Sequence, residues 1–189
     1  MPTTQAAEGL LRRRFSVAEI EAMVKAGILD EHERFELIGG EVVPMSPKGI
    51  RHEIVKAALL RYWGKIRPED IHFAIETTFR LDEYAFVEPD IIFYRKADGL
   101  ANLKPATALL AVEVADSSLA YDLGRKARIY ASFGVREVWV IDANSLVTHV
   151  HCLPGVDGYA EQRKIGPEVS LVPAFAPVLT VVLGSLELI

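Results

Sequence analysis

The chain has 189 residues, half of them hydrophobic, a net charge of −5 and a single cysteine, Cys152. This length predicts one domain over residues 1–189, and the lone cysteine excludes an internal disulfide and a multi-cysteine metal site. The negative charge excludes nucleic-acid binding by overall charge alone, and the lack of a long apolar run or an N-terminal signal sequence predicts a cytoplasmic protein without a membrane span.

The first part of the chain predicts a tail, a short helix and a hairpin. Residues 1–11 are expected to form a loose tail. A capping box at Ser16 and Glu19 predicts the start of a helix, and two short strands about a Gly-Gly turn follow it. Residues 12–14 are three arginines, a small candidate patch for nucleic acid, although such a run is more often a solvated helix start.

Glu36 and His52 are the first candidate site residues along the chain. Glu36 lies in the first strand of the hairpin on the same face as Ile38, so its carboxylate is a candidate for the interior. A glutamate at the edge of a small sheet is more often solvated. His52 lies in the first turn of a helix predicted over residues 48–63, where a histidine is more often a surface or capping residue. The residues of this helix predicted to face the core are Ile54, Ala57, Ala58, Leu60 and Tyr62.

Residues 71–81 and 87–94 predict the next two strands. Because proline is confined to strand starts and edges, Pro89 marks the start of the second strand and places Asp90 just inside it. Four hydrophobic residues follow Asp90. An acid at the start of a buried strand is a ligand position, although an aspartate there is also common in turns.

Residues 108–115 are apolar on both strand faces and predict a central strand covered on two sides. Glu113 places a carboxylate inside this strand. An unpaired buried charge costs on the order of several kcal/mol. We therefore expect Glu113 to have a cation as its partner, and the cation is either a side chain or a metal.

The helix predicted over residues 119–132 carries such a cation. At about 100° per residue, Asp122, Lys126 and Tyr130 fall on the face directed at the sheet, whereas the two arginines of the helix fall on the solvent face. An inward lysine beside a strand with an inward glutamate indicates a site. The alternative is a structural ion pair that involves a partly buried Lys126.

The last third of the chain predicts mostly strand. Residues 136–142 and 146–153 predict a β-hairpin. Residues 159–189 predict one or two short strands and an apolar end. That apolar end is a candidate dimer interface.

Asp90, Glu113 and Lys126 together indicate a metal site. Two carboxylates from adjacent strands and the carbonyl of Val114 make an all-oxygen ligand set that suits Mg²⁺ or Mn²⁺. Such an ion polarises a phosphoryl oxygen and lowers the pKa of bound water. A lysine holds or deprotonates that water when partial burial lowers the amine pKa.

These segments resemble a known family of nucleases. Pro89-Asp90 followed by Glu113-Val114-Ala115 is similar to the PD-(D/E)xK nuclease superfamily. Over residues 35–142 the chain resembles, more narrowly, the Uma-type restriction endonucleases. The segments that carry this resemblance are FELIGGEVVPMS, a histidine at a helix start, VEPD, VEVADSS, DLGRKARIY and GVREVWVID.

The resemblance implies a restriction-endonuclease-like α/β fold, in which helices flank a mixed central sheet. It implies a metal-dependent endonuclease, a hydrolase that cleaves phosphodiester bonds, with DNA as the favoured substrate. Cutting both strands of a duplex takes two sites, so a homodimer is expected. The alternative is a nuclease-fold module that binds nucleic acid or a protein without cutting; a third hypothesis is a structural ion cluster in an unrelated α/β protein.

The resemblance also implies roles for single residues. Asp90 and Glu113 are implied as metal ligands and Glu36 as a further acid near the metal. Lys126 is implied as the catalytic lysine, displaced from the superfamily position, where this chain has Ala115.

Three further residues match motif positions of the family. They are His52, Asp122 and Tyr130. The spacing of Asp122 allows it to orient Lys126 one helical turn away, and Tyr130 either supports the site or only packs.

Overall fold

The computed structural model describes residues 13–30 and 32–189. The tail predicted over residues 1–11 and the first arginine of the basic run lie outside these residues. Within the described ranges, no helix combines the length and the apolar character that crossing a membrane requires.

The described chain contains helices, strands and short 3₁₀ turns in mixed order. The helices are α1 (Val17–Lys25), α2 (Ile50–Ile66), α3 (Leu119–Tyr121) and α4 (Ala127–Ser132), with a π-helical turn, Asp122–Lys126, between the last two. The strands are β1 (Phe35–Ile38), β2 (Glu41–Pro44), β3 (Ile71–Ile75), β4 (Phe79–Asp82), β5 (Ala85–Val87), β6 (Ile91–Arg95), β7 (Ala108–Ala115), β8 (Glu137–Asp142), β9 (Thr148–Gly155) and β10 (Gly158–Ile165).

The chain divides into two compact units. The first contains the described residues up to Met45 together with Arg80–Val87, and the second contains Ser46–Phe79 and Glu88–Ile189. The single domain over residues 1–189 stays a prediction.

The first unit is a four-stranded sheet in the order β2-β1-β5-β4, accompanied by α1. The capping box is confirmed, because the Ser16 side chain accepts from the Glu19 N–H and the Glu19 side chain accepts from the Ser16 N–H. The hairpin of β1 and β2 is also confirmed. In the predicted basic run, Arg14 donates to the Gly39 carbonyl at 2.8 Å and Arg13 pairs with Glu19. Both arginines therefore have partners within this unit.

The second unit is a six-stranded mixed sheet in the order β10-β9-β8-β7-β6-β3. β7 and β8 are parallel, and every other neighbouring pair is antiparallel. All eight residues of β7 are buried, as a strand covered on both faces requires. The prediction of a central strand is confirmed, as is the hairpin of β8 and β9.

Two predicted strands are each divided between the two sheets. The segment over residues 71–81 contains β3 and β4, which are separated at Glu76, a residue with a left-handed backbone (φ 47°). The segment over residues 87–94 contains the end of β5 and most of β6. Pro89, which lacks an N–H for the ladder, separates these two strands. Asp90 therefore lies just before β6 rather than just inside it.

Helix α2 buries a face that overlaps the predicted one only in part. Its buried residues are His52, Val55, Lys56, Ala58, Leu59 and Trp63. Of the predicted stripe, Ala58 is buried and Leu60 and Tyr62 pack against the core while partly exposed. Trp63 fixes the rotation of the helix, because its ring packs edge-on against Phe93 at 5.0 Å and its Nε1–H donates to the Leu179 carbonyl at 2.8 Å. Successive residues are about 100° apart around the helix axis, so an error of one position in the predicted stripe selects a different face of the helix.

The C-terminal apolar segment packs into the core of its own unit. Leu171, Leu179, Val181 and Leu183 are buried together with Trp63 and the central strands. Val169, Val172, Val178 and Ile189 of the same segment are exposed, and the dimer interface stays a prediction.

Candidate active site

The sheet brings Asp90 and Glu113 to the same end of neighbouring strands. β6 runs antiparallel to β7, with Ile91 opposite Val112, so the start of β6 meets the end of β7. The Val114 N–H donates to Asp90 Oδ2 at 2.8 Å. Both carboxylates are only 4% exposed.

Asp90 is held by two side chains from the start of α2. Its Oδ1 accepts from Lys48 Nζ at 2.7 Å and lies 2.9 Å from His52 Nε2. The other ring nitrogen of His52 lies 3.0 Å from Glu53, so the ring bridges two carboxylates. Burial acts to raise the pKa of Asp90, but His52 and Lys48 outweigh it and hold this pKa well below its usual range.

Glu113 is held by two side chains from the segment that follows β7. Its Oε1 accepts from the Tyr130 hydroxyl at 2.6 Å and lies 3.0 Å from Lys126 Nζ. Burial raises the pKa of Glu113 well above its usual value. Lys126 and Tyr130 lower that pKa, whereas the charges of Asp90 and Asp122 raise it further.

The segment that carries Lys126 is not the continuous α-helix predicted over residues 119–132. Asp122–Lys126 forms a π-helical turn, closed by a hydrogen bond from the Ala127 N–H to the Asp122 carbonyl. Such turns are common at functional sites. The predicted face is nevertheless observed, because Asp122, Lys126 and Tyr130 are buried while Arg125 and Arg128 are exposed. Ser118 donates to Asp122 at 2.6 Å.

Sequence reasoning missed two charged residues beside Asp90. Lys48 Nζ lies 2.8 Å from Glu76 Oε1, so the amine bridges Glu76 and Asp90. Glu76 also pairs with Lys56, and its N–H donates to the Asp90 carbonyl at 3.3 Å. The position of Lys48 just before a helix start, four residues from His52, was the only signal available.

The carboxylate oxygens at this end of the sheet are of the kind that Mg²⁺ and Mn²⁺ prefer. The charge of Asp90 raises the pKa of Glu113, so these carboxylates repel each other and a cation would relieve that repulsion. Within residues 13–30 and 32–189, no three histidine, cysteine or acidic side chains are arranged to hold a metal. Two carboxylates with a carbonyl and waters nevertheless meet the ordinary coordination of Mg²⁺.

Glu36 lies in β1 of the first unit and is buried, 2% exposed. The burial of Glu36 agrees with the prediction that its carboxylate lies in the interior. Its place near a metal stays a prediction.

A family described as "Uma2: Putative restriction endonuclease" matches residues 17–183 of this sequence. The chain belongs to the Uma2 family. A comparison with curated proteins found no match. The crystal structure of "a putative nuclease belonging to DUF820" from Anabaena variabilis ATCC 29413 is similar to this Uma2 chain, with a TM-score of 0.71 and 14% identity over 90% of this chain and 96% of that one.

These findings confirm the resemblance and the fold class that the sequence predicted. The Uma2 chain has a mixed α/β architecture that matches the fold of the Anabaena protein. Family and fold together indicate a restriction-endonuclease-like nuclease.

Glu76 makes the stability of this Uma2 chain sensitive to acid. Burial acts to raise its pKa, but hydrogen bonds from Lys48 and Lys56 outweigh it and lower the pKa from 4.5 to about 2. A carboxyl with a depressed pKa stabilises the fold above its unfolded pKa and loses that contribution as the pH falls. Glu76→Gln is therefore expected to be less stable than wild type by a constant amount above about pH 5, and the difference is expected to shrink towards pH 2.

Urea unfolding at a series of pH values measures this difference. Between pH 6 and pH 2, we expect the difference in unfolding free energy between the two proteins to change by on the order of 1 kcal/mol, because solvent screens a partly exposed group. Glu69→Gln is the matched control, since Glu69 pairs with Lys96 while 91% exposed. A Glu76→Gln difference that stays constant from pH 6 to about pH 2 would contradict the assignment.

Gly49 allows the start of α2 to approach the end of β7. A Cβ at this position would overlap Asp116 Oδ2, and Asp116 is held by Asn144 at 3.1 Å. Gly49→Ala is expected to cost about 1–3 kcal/mol of stability and to displace Lys48.

Gly64→Ala in the same helix is the matched control, because a Cβ added at this glycine would meet no neighbouring atom within 4 Å beyond the backbone of its own helix. We expect this second change to stabilise the protein by up to about 1 kcal/mol, since alanine is the better helix former. Chemical denaturation of both variants tests the pair, and equal effects of the two substitutions would rule out the close approach at Gly49.

Proposed function

We propose that this chain is a divalent-metal-dependent endonuclease that hydrolyses phosphodiester bonds in DNA. One observation carries the proposal: the amine of Lys126 lies 3.0 Å from the buried carboxylate of Glu113, and Asp90 lies just before the neighbouring strand β6. An amine and two acids at one end of a sheet are the groups that metal-assisted hydrolysis needs. Membership of the Uma2 family supports the same activity.

Asp90, Glu113 and the Val114 carbonyl would hold Mg²⁺ or Mn²⁺. When bound there, the ion would polarise a phosphoryl oxygen and lower the pKa of a water molecule. His52 keeps the Asp90 carboxylate oriented through its 2.9 Å contact, and the Tyr130 hydroxyl does the same for Glu113 at 2.6 Å. Such support of a ligand fixes its orientation and its basicity.

Lys126 would position the attacking water and hold its proton at Nζ. Its side chain is 4% exposed and its amine lies 3.0 Å from Glu113, so the amine is held beside the proposed ligand. A general base acts when it lies within hydrogen-bond reach of the proton that it takes. Asp122, buried beside Glu113, would add negative charge that favours a cation. Glu36 is proposed as a further acid of the site on the family resemblance alone.

The rival proposal is a module that binds nucleic acid or a protein without cutting. Ala115 at the usual lysine position and the net charge of −5 favour it. The contact between Lys126 and Glu113 favours catalysis instead, because it supplies from the helical segment an amine that the strand lacks.

Cleavage assays decide between these proposals. Supercoiled plasmid, linear duplex, single-stranded DNA and RNA of one sequence are incubated with the protein in Mg²⁺, in Mn²⁺ or in EDTA. We expect DNA to be nicked or cut only with a divalent cation. Cleavage of RNA alone would indicate that RNA, not DNA, is the substrate. Binding in a gel-shift assay without any cleavage would favour the module that binds without cutting. No binding at all would favour the structural ion cluster.

A homodimer in a cytoplasmic setting completes the proposal. Each copy carries one site, so two copies are needed for the two strands of a duplex. Sedimentation of the protein with and without duplex DNA tests the association.

A further inference from the structure

Lys48 has a position that the roles above leave unexplained. Its amine bridges two carboxylates, at 2.7 Å from Asp90 Oδ1 and 2.8 Å from Glu76 Oε1. The first of these oxygens belongs to a proposed metal ligand. The lysine amine is therefore already paired with an oxygen, Asp90 Oδ1, that would coordinate the metal.

Lys48 and Lys126 are held in different ways. Lys126 is 4% exposed and lies on the helical segment after β7, whereas Lys48 is 12% exposed and lies in the loop just before Gly49, the N-cap of α2. Lys48 can thus leave Asp90 by rotation of its own side chain, without movement of a strand or helix.

Glu76 provides a second position for the displaced amine. Its backbone has φ 47°, an uncommon conformation for a residue other than glycine, and the hydrogen bond from its N–H to the Asp90 carbonyl keeps the residue beside the site. Lys56 also pairs with Glu76. Glu76 can therefore retain Lys48 after the contact with Asp90 is lost.

We propose that Lys48 is the counter-ion that a divalent metal displaces from Asp90, and that Glu76 retains Lys48 once it is displaced. This inference rests on the proposed metal site. Lys48 lowers the affinity of the site for the metal, because the ion competes with a positive charge for Asp90 Oδ1. Lys48 is thus a positioning residue that sets the metal concentration at which the site fills.

Calorimetric titration with Mn²⁺ in the absence of nucleic acid tests this role directly. Lys48→Met is expected to bind Mn²⁺ about tenfold more tightly than wild type, since removal of one nearby charge is partly offset by relaxation of the site. Lys65→Met is the matched control. It removes the same charge from the exposed last turn of α2, roughly 25 Å along the helix from its start, and is expected to leave the affinity unchanged.

Glu76→Gln tests the second part of the inference. On the wild-type background it is expected to weaken Mn²⁺ binding by about tenfold, because Lys48 then has Asp90 as its remaining carboxylate partner among these contacts. In the Lys48→Met background the same change is expected to have a much smaller effect, so a double-mutant cycle isolates the coupling. Equal effects in both backgrounds would overturn the role of Glu76.

The outcomes separate this inference from the proposed function. Equal Mn²⁺ affinity of wild type and Lys48→Met, with both variants folded by circular dichroism, overturns the role of Lys48 and leaves the nuclease proposal intact. A wild-type protein that binds no Mn²⁺ overturns the metal site, and with it both proposals.

Discussion

Glu113→Gln is expected to lower metal-dependent DNA cleavage by at least about 100-fold, since even a residue that only orients a metal ligand contributes 10- to 100-fold. The substitution keeps the shape of the side chain and removes the charge that a cation would bind. It also breaks the buried ion pair between Glu113 and Lys126, and the loss of one member of such a pair costs on the order of 3 kcal/mol of stability. Plasmid cleavage and Mn²⁺ titration measure the first effect, and urea unfolding measures the second.

Glu137→Gln is the matched control for this variant. Glu137 is also a buried glutamate, 1% exposed, on the strand next to β7. It accepts hydrogen bonds from the Trp139 ring and from the Ala174 N–H rather than from a lysine. We expect Glu137→Gln to retain Mn²⁺ binding and cleavage. If Glu113→Gln also binds Mn²⁺ and cuts like wild type, Glu113 is not a metal ligand.

Lys126→Met is expected to separate metal binding from catalysis. The variant keeps both proposed carboxylate ligands and loses the amine, so Mn²⁺ binding should persist while cleavage falls by about 10²- to 10⁴-fold, the usual contribution of a general base. Without the amine, the pKa of Glu113 is expected to rise further, because Lys126 is the strongest influence that lowers it. Calorimetry and plasmid cleavage on the same preparation measure the two effects.

Lys126→Arg refines the interpretation of this variant. Arginine keeps the positive charge but is not deprotonated in proteins. An inactive arginine variant supports proton transfer at Nζ, whereas an active one indicates that only the charge is needed. Cleavage by Lys126→Met at the wild-type rate would overturn the catalytic role of Lys126 or point to a contaminating nuclease.

The parts of the fold that follow from local patterns could be predicted. A strand buried on both faces has no polar alternation, which is why both ends of β7 could be predicted from the apolar run over residues 108–115. The inward direction of Lys126 follows from helical periodicity, which the π-helical turn shifts without moving the side chain into solvent. The sequence therefore identified the two acids and the lysine that meet at the end of the sheet.

The residues that were missed are placed by tertiary structure. Lys48 and Asp90 are 42 positions apart, and no periodicity relates a loop before a helix to the start of a strand. Glu76 depends on a left-handed backbone at the point where one apolar segment divides between two sheets. The rotation of α2 was also beyond local pattern, because Trp63 and its partners select which apolar stripe is buried.

The pairing of each acid with its own lysine bears on how this protein matures. A small zinc domain stays unfolded until its ion binds, because the free energy of metal binding supplies its folding free energy. Here Asp90 pairs with Lys48 and Glu113 pairs with Lys126, so each acid has a cationic partner within the polypeptide. We therefore expect the chain to fold without a divalent cation, and the proposed site to bind the ion afterwards in a separate, reversible step.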